Sequence, residues 1–207
     1  MARPAPRGRP VGRRKALITV RIPARGYNRL RARGADVAIK YFPTEEPVAK
    51  EVIDLIKAEG RVGVAIPGDL RDEKFCQSLS SGPFKALAAW TSSSAMPAGS
   101  RREPRFSILR LKDFDVTMKT NIYAPFWIIK AALPHLKPGS VIIGTASEQA
   151  YDPSPDLYDY AQTKAATMNY VKSLAKQLAP KGTRVNAIAP GPMDPRCRFR
   201  AELRWRS

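Results

Sequence analysis

The chain has 207 residues, with 36 Lys and Arg, 18 Asp and Glu, one His and a formal net charge of +18. An apolar fraction of 43% and a charged fraction of 26% are ordinary for a globular chain and argue against wholesale disorder, and the length suits one domain or two small ones. Two cysteines, Cys76 and Cys197, and the single His135 exclude a disulfide framework, a four-ligand zinc centre and a His-rich metal site, and no apolar run approaches the roughly 18–20 residues of a membrane span.

Residues 1–14, with Pro4, Pro6 and Pro10 among arginines, read as a loose basic arm. Lys15–Val20 reads as a short buried strand, and residues 21–33 have no clear period. Ala35–Phe42, bounded by Gly34 and Pro43, is a second strand. Thr44 is placed to cap a helix with Glu45 and Glu46 in its first turn, and Val48, Val52, Ile53, Leu55 and Ile56 supply an apolar face up to Gly60. Val62–Ile66 is a third strand, ended by Pro67-Gly68. Such strand–helix–strand spacing implies a parallel sheet with right-handed crossovers. Residues 78–110, rich in Ser, Ala, Pro and Arg, show little regular pattern. Order returns with a long helix over 113–133, a strand at Val141–Gly144, a helix over 156–179 ended by Pro180-Lys181-Gly182, and a strand at Arg184–Ala189.

The charge is concentrated. Residues 1–34 carry 11 basic and no acidic side chains, residues 101–112 carry 5 and 1, and residues 184–207 carry 6 and 2; the other 137 residues hold 14 basic and 15 acidic. A near-neutral body therefore carries three Arg-rich patches. Basic patches bind phosphate by counterion release, so a non-enzymatic phosphate- or nucleic-acid-binding role is the alternative function. Apart from Arg204-Trp205-Arg206, no aromatics interleave with the arginines and no nucleic-acid motif accompanies them, which favours solvated basic segments. The N-terminal 35 residues are Arg-rich and acid-free like an organellar leader, but Pro-rich and Ser-free, and Ala16–Val20 is short for a secretory apolar core. The expected location is cytoplasmic.

Tyr160 and Lys164 carry the chemistry. Residues four apart share a helix face. An ammonium beside a phenol favours the phenolate, and a tyrosine so tuned works as a general acid or base. Ser147 lies just past the strand Val141–Gly144, where ligands bind in open α/β sheets, and its hydroxyl is placed to bond a substrate carbonyl. Asn121 sits in the preceding helix, and Pro190-Gly191-Pro192 follows the last strand. A hydrolase using Ser147 with His135 is a third reading; a helix-terminal His135 stabilised by the dipole is the simpler role.

Gly144-Thr145-Ala146-Ser147, Tyr160-Ala-Gln-Thr-Lys164, Thr120-Asn121 and Arg184-Val-Asn-Ala-Ile-Ala-Pro-Gly191 together resemble the classical short-chain dehydrogenase/reductase family. The wider wording around residues 117–140 and 147–155 resembles its bacterial general-stress, glucose-dehydrogenase-like branch. The resemblance implies a single-domain, Rossmann-like, doubly wound parallel α/β sheet over residues 15–192, incomplete as written and followed by an atypical basic tail at 193–207. It implies hydride transfer between a nicotinamide cofactor and a carbonyl or alcohol. Tyr160 would be the acid/base, Lys164 would hold the nicotinamide ribose and lower the Tyr160 pKa, Ser147 would orient the substrate carbonyl, and Asn121 would support a proton-relay water. Asp69 and Leu70 match the adenine contact, and Pro190 and Gly191 the turn along the nicotinamide. The second strand ends Ile39-Lys40-Tyr41-Phe42 with no acid for a ribose 2′-OH; Lys40 would attract a 2′-phosphate, favouring NADP over NAD, unless Lys40 is a solvent-facing strand end. The two long helices pair across the dimer interface in relatives, and a homotetramer of such dimers is expected.

Three segments depart from the family pattern. The first strand is followed by Val20-Arg21-Ile22-Pro23-Ala24-Arg25-Gly26 in place of a Gly-rich phosphate cradle. The fourth strand and its Asn-Asn-Ala-Gly turn are not recognisable between Gln77 and Leu111, and the tail after Pro192 lacks the substrate loop. These stretches are Arg-, Ala-, Pro- and Ser-rich, as in a GC-rich gene read out of frame. A frame-damaged reductase with low solubility and weak or absent activity is one expectation; a divergent member whose Arg21, Arg25 and Arg29 bind phosphate is the other.

Overall fold

Short apolar runs, punctuated by Gly, Pro and Ser, set the architecture. The computed structural model describes residues 14–18, 35–81, 89–92 and 106–191. Within them β1 (Arg14–Ile18), β2 (Ala35–Tyr41), β3 (Gly63–Pro67), β4 (Ala89–Ser92), β5 (Val141–Thr145) and β6 (Arg184–Ile188) form one sheet in the order β3-β2-β1-β4-β5-β6. Every neighbouring pair is parallel. Parallel neighbours need crossovers. The helices are α1 (Glu46–Ala58), α2 (Glu73–Ser81), α3 (Leu111–Met118), α4 (Ala124–Ala132) and α5 (Tyr158–Leu178). The chain is thus a single α/β domain of the doubly wound, Rossmann-like class. Its strand order reverses between β1 and β4, the switch point beyond which such sheets bind ligands.

The basic arm up to residue 13, the turn with Arg21, Pro23, Arg25, Gly26 and Arg29, residues 82–88 and 93–105, and the tail from Pro192, with Cys197 and Trp205, lie outside the described residues. The expected loss of the fourth strand is corrected: β4 lies between β1 and β5, with Ala16 opposite Ala89 and Trp90 opposite Ile142. Four residues are too few for a periodic signal. Helix α2 also falls where no element was read; Asp72 announces it, accepting the Phe75 N–H at 3.0 Å as a helix cap does.

Val37, Ala38 and Ile39 on β2 are all nearly inaccessible, as expected for a strand covered on both faces. Helix α1 buries Ala49, Val52, Ile53 and Ile56, a spacing of one helical stripe. Val48 and Leu55, expected on that face, are 49% and 43% exposed, because each sits about 100° around the helix from the stripe. Thr44 does not cap α1 either. Pro43 opens a 3-10 turn that absorbs Thr44, and Pro47 withholds a first-turn donor.

The expected helix over 113–133 begins at Leu111 and is interrupted by a π-helical turn, Lys119–Tyr123. Pro125 has no N–H to return to the Asn121 carbonyl, so the α register slips there. Under α2, α4 and α5 the core joins Leu79, Ile128, Ile142, Val171 and Val185; burying each such side chain is worth about 1.5–3 kcal/mol. Gly144 lets α5 lie close on β5: a Cβ there would come 2.8 Å from Val171 Cγ2 and 3.1 Å from the Tyr170 hydroxyl. Gly182, at φ +71°, turns the chain from α5 into β6, a conformation that favours glycine.

Candidate active site

The strand ends of β5 and β6 carry the first part of the site. The Ala146 N–H donates to the Ile188 carbonyl at 2.8 Å, and the Glu148 N–H to the Pro190 carbonyl at 3.1 Å. These bonds hold the Pro190-Gly191 turn against the segment that follows β5. Ser147 is extended and buried, and its Oγ accepts the Gln149 N–H at 3.3 Å. It thereby starts a one-turn 3-10 helix, Glu148–Ala150, and stands at the carboxyl end of the strand.

The first turns of α5 carry the second part. Tyr160 is half-buried, and the Ser147 hydroxyl lies on the side of its phenol, close enough to pull its pKa down. One turn on, Lys164 is inaccessible to solvent. Its Nζ donates to the Thr145 carbonyl at 2.9 Å and lies 5.1 Å from the centroid of the Tyr160 ring. The fold therefore brings Ser147, Tyr160 and Lys164 to one place beyond β5, as the motif spacing leads one to expect.

The electrostatics correct one expectation. Burial pushes the Tyr160 phenol above its ordinary value; the Ser147 hydroxyl pulls it down in part, and the charge of Glu148 pushes it up. Lys164 is not among the groups that shift it here, and burial takes its own amine down to about 7. Near neutrality Lys164 is only partly charged, and its Nζ is turned to the Thr145 carbonyl.

Asn121 sits in the π-helical turn, 1% exposed. Its Nδ2 donates to Thr163 Oγ1 at 3.0 Å, and Thr163 Oγ1 donates to the Tyr160 carbonyl at 2.7 Å. Asn121 is thus joined to Tyr160 through Thr163, a residue the motif reading passes over. Asn121 Oδ1 and Thr145 Oγ1 are buried acceptors without a hydrogen-bond partner among the described residues. His135 is far from this group in the fold. It ends the 3-10 turn that follows α4, before β5 begins, whereas Ser147 lies past the other end of that strand. The Ser147–His135 hydrolase reading has no support in this topology.

The other end of the crevice is built from β2, β3 and α2. Lys40 is 5% exposed, with Nζ 3.6 Å from the Phe42 ring centroid, so it is not a solvent-facing strand end. Burial lowers its pKa, against the opposing pull of Asp69 and Glu45. Partial burial raises the Asp69 carboxyl, but hydrogen bonds from Arg71 and its charge outweigh that and leave it low. Arg71 Nε lies 3.0 and 2.8 Å from the two carboxylate oxygens, and the Arg71 N–H donates at 2.9 Å. Leu70 packs against the core and its carbonyl accepts from Cys76 Sγ at 3.2 Å. A shallow cavity of about 720 Å³ opens beside Asp69 and Arg71, lined also by Glu73 and Lys74. Arg71 was legible only as an acid–base pair two residues apart.

The site's donor set fits a dinucleotide. Hydroxyls and an amine cluster past β5, and a buried amine with no acid beside it on the strand ends β2. Among the described residues no helix is long and apolar enough to cross a membrane.

A family model described as enoyl-(acyl carrier protein) reductase matches residues 27–201. The uncharacterised oxidoreductase YghA of Escherichia coli is 45% identical over 186 residues, 87% of this chain and 62% of that protein. The NADPH-dependent aldehyde reductase 1, chloroplastic, of Arabidopsis thaliana is 34% identical over 168 residues, 77% of this chain and 57% of that protein. The crystal structure of a short-chain dehydrogenase from Burkholderia cenocepacia J2315 in complex with NADP superposes with a TM-score of 0.77 at 30% identity, covering 88% of this chain and 75% of that one. The chain spans about three-fifths of the length of these curated relatives.

Proposed function

The chain belongs to the short-chain dehydrogenase/reductase family, and from that premise we propose that it transfers a hydride between NADP(H) and a small carbonyl or alcohol substrate, as an aldehyde or ketone reductase. One observation carries the reading: Ser147, Tyr160 and Lys164 converge beyond β5, with the Ser147 hydroxyl beside the phenol and Lys164 one turn behind it, its Nζ 5.1 Å from the ring centroid.

NADP(H), when bound, supplies or accepts the hydride. The chain's own residues do the rest. Ser147 donates a hydrogen bond to the substrate oxygen and holds it at the phenol. Tyr160 gives its proton to that oxygen in reduction and takes it back in oxidation, a role worth about 10²–10⁴ in rate. Lys164 would hold the ribose of the bound cofactor, and the fuller charge that a hydroxyl partner favours on its amine would bring the Tyr160 pKa down toward working pH. Asn121 supports a relay water through its backbone carbonyl, whose α-helical partner Pro125 removes. Asp69 and Leu70 take the adenine end, and Pro190 and Gly191 line the nicotinamide.

The preference for NADP over NAD rests on Lys40 at the end of β2 and on the NADP held by the similar Burkholderia protein. Lys40 faces Asp69, so a 2′-phosphate would compete with that carboxylate. A cytoplasmic homotetramer is the corresponding assembly. An apolar groove of about 410 Å³ between α4 and α5, lined by Ile122, Phe126, Ile129, Leu133, Tyr170 and Leu174, supports the pairing of these helices with those of a second copy.

The test is a titration of the purified chain with NADPH and NADH, followed by thermal unfolding and by turnover with aliphatic aldehydes and ketones. NADPH at about 100 times its Kd should add about 2.7 kcal/mol of stability, NADH less, and nicotinamide absorbance should fall slowly with an aldehyde present. A chain that neither cofactor stabilises and that turns over no carbonyl overturns the proposal. Salt-sensitive retention on DNA in that case favours the basic-binder alternative.

A further inference from the structure

Four buried polar side chains, three of them outside the catalytic set and the fourth Asn121, form two rungs between α5 and the helix before β5. Thr117, on α3, and Asn121, in the π-helical turn, are four residues apart, as are Asp159 and Thr163 on α5. Thr117 Oγ1 donates to Asp159 Oδ2, and Asn121 Nδ2 donates to Thr163 Oγ1 at 3.0 Å. The four are 2%, 1%, 7% and 0% exposed. Residues four apart stack on one helix face, so both rungs share one stripe of α5. Tyr160 and Lys164 each follow a rung residue and form the adjoining stripe.

The rungs also grip Tyr160 itself. Asp159 Oδ1 accepts the Tyr160 N–H at 2.8 Å, and Thr163 Oγ1 donates to the Tyr160 carbonyl at 2.7 Å. Both backbone polar groups of that residue are therefore tied to side chains anchored on the neighbouring helix. Thr117 Oγ1 also reaches the Asp113 carbonyl at 3.1 Å, which fixes the far end of the first rung to α3. A buried carboxylate is costly unless its oxygens are bonded; here one oxygen serves the helix and the other the cross-link.

We propose that Asp159 and Thr163 are positioning residues: with Thr117 and Asn121 they form a two-rung ladder that fixes the rotation of α5 about its axis and so presents the Tyr160 hydroxyl to Ser147. The inference rests on the reductase reading for its kinetic readout. The ladder acts through geometry and not through the charge of Asp159. An amide at position 159 keeps both links, because its oxygen accepts the Tyr160 N–H and its NH₂ donates to Thr117 Oγ1 while that hydroxyl turns its one proton to the Asp113 carbonyl.

The test compares Asp159→Ala, Asp159→Asn, Thr163→Val and Thr163→Ser in the full chain. Two readouts are used: kcat and its pH profile with NADPH and an aldehyde, and ultraviolet titration of the Tyr160 phenol without cofactor, taken as the difference from Tyr160→Phe. Asp159→Ala and Thr163→Val should each lower kcat about 10- to 100-fold, the scale of an ångström-sized misplacement, with KM for NADPH within about twofold. The phenol midpoint should move back toward that of an ordinary tyrosine, since a loosened ring regains solvent. Asp159→Asn and Thr163→Ser should restore both readouts to within about threefold of the parent. The ladder is overturned if Asp159→Ala leaves kcat and the phenol midpoint unchanged, or if Asp159→Asn fails as badly as Asp159→Ala. A parent chain without turnover overturns the reductase reading alone, and the phenol titration still judges the ladder.

Discussion

Around Tyr160 the polar side chains are buried and bonded to partners 42 residues away in the chain. Around Asp69 they are partly exposed and bonded to Arg71, two residues on. The β5–β6 end of the sheet is thus assembled before any ligand arrives, with hydroxyls and an amine fixed by other elements, which is how preorganised sites lower a barrier. The β2–β3 end is a charged surface whose pairs are local and whose Asp69 must share Lys40 and Arg71 with whatever binds there. Under the proposed function, chemistry is built into one end, and recognition is left adjustable at the other.

Three substitutions would break or sharpen that contrast. Lys164→Met should have the largest effect. Removing the amine should cut kcat/KM at least about 10²-fold, the lower bound for a group acting on a proton-transfer step. It should also change how stability depends on pH. The folded-state pKa of about 7 lies below the ordinary lysine value of 10.5, so between those values the unfolded chain holds more protons. The contribution of Lys164 to stability is then greatest above pH 10.5, falls as pH drops toward 7, and is lowest below that. Urea unfolding at roughly pH 7 and pH 10 should show the parent gaining on Lys164→Met as the pH rises. A parent whose stability relative to the variant is flat would mean that the amine is not desolvated as the geometry requires.

Gly144→Ala should come next, and it probes the packing that sets α5 on β5. The added methyl would meet Val171 Cγ2 at 2.8 Å, and such overpacking costs about 1–3 kcal/mol. Thermal unfolding should report that loss, and a neutral result would show that α5 has room to shift. The smallest effect is expected at the adjustable end. Lys40→Ala should raise KM for NADPH about tenfold, the loss of one charge-assisted contact of about 1.4 kcal/mol, and leave KM for NADH within about twofold. Equal effects on the two cofactors would remove Lys40 from phosphate recognition.

Much of the preassembled end was legible from the sequence, because its signals are spacings. A tyrosine four residues before a lysine, a serine just past an apolar run and a Pro-Gly after the last strand fix the places where side chains meet. The ladder was not legible, since Asp159 and Thr163 look like ordinary helix-surface residues until α3 is seen against them. The π-helical turn could have been found: Pro125, four residues past Asn121, forbids the α bond at that carbonyl. β4 escaped because a central strand of four residues carries no period. The sign of the Tyr160 shift escaped for a different reason. Spacing places Lys164 near the phenol, but only burial shows that the amine is itself desolvated.

Tyr160→Phe is the most direct test of the central claim that these three side chains form a carbonyl-reducing site. The variant should bind NADPH as the parent does, within about twofold by thermal shift, and reduce aldehydes about 10³-fold more slowly, within the range set by loss of a general acid. Reduction at the parent's rate by a chain that lacks the phenol hydroxyl would contradict the account.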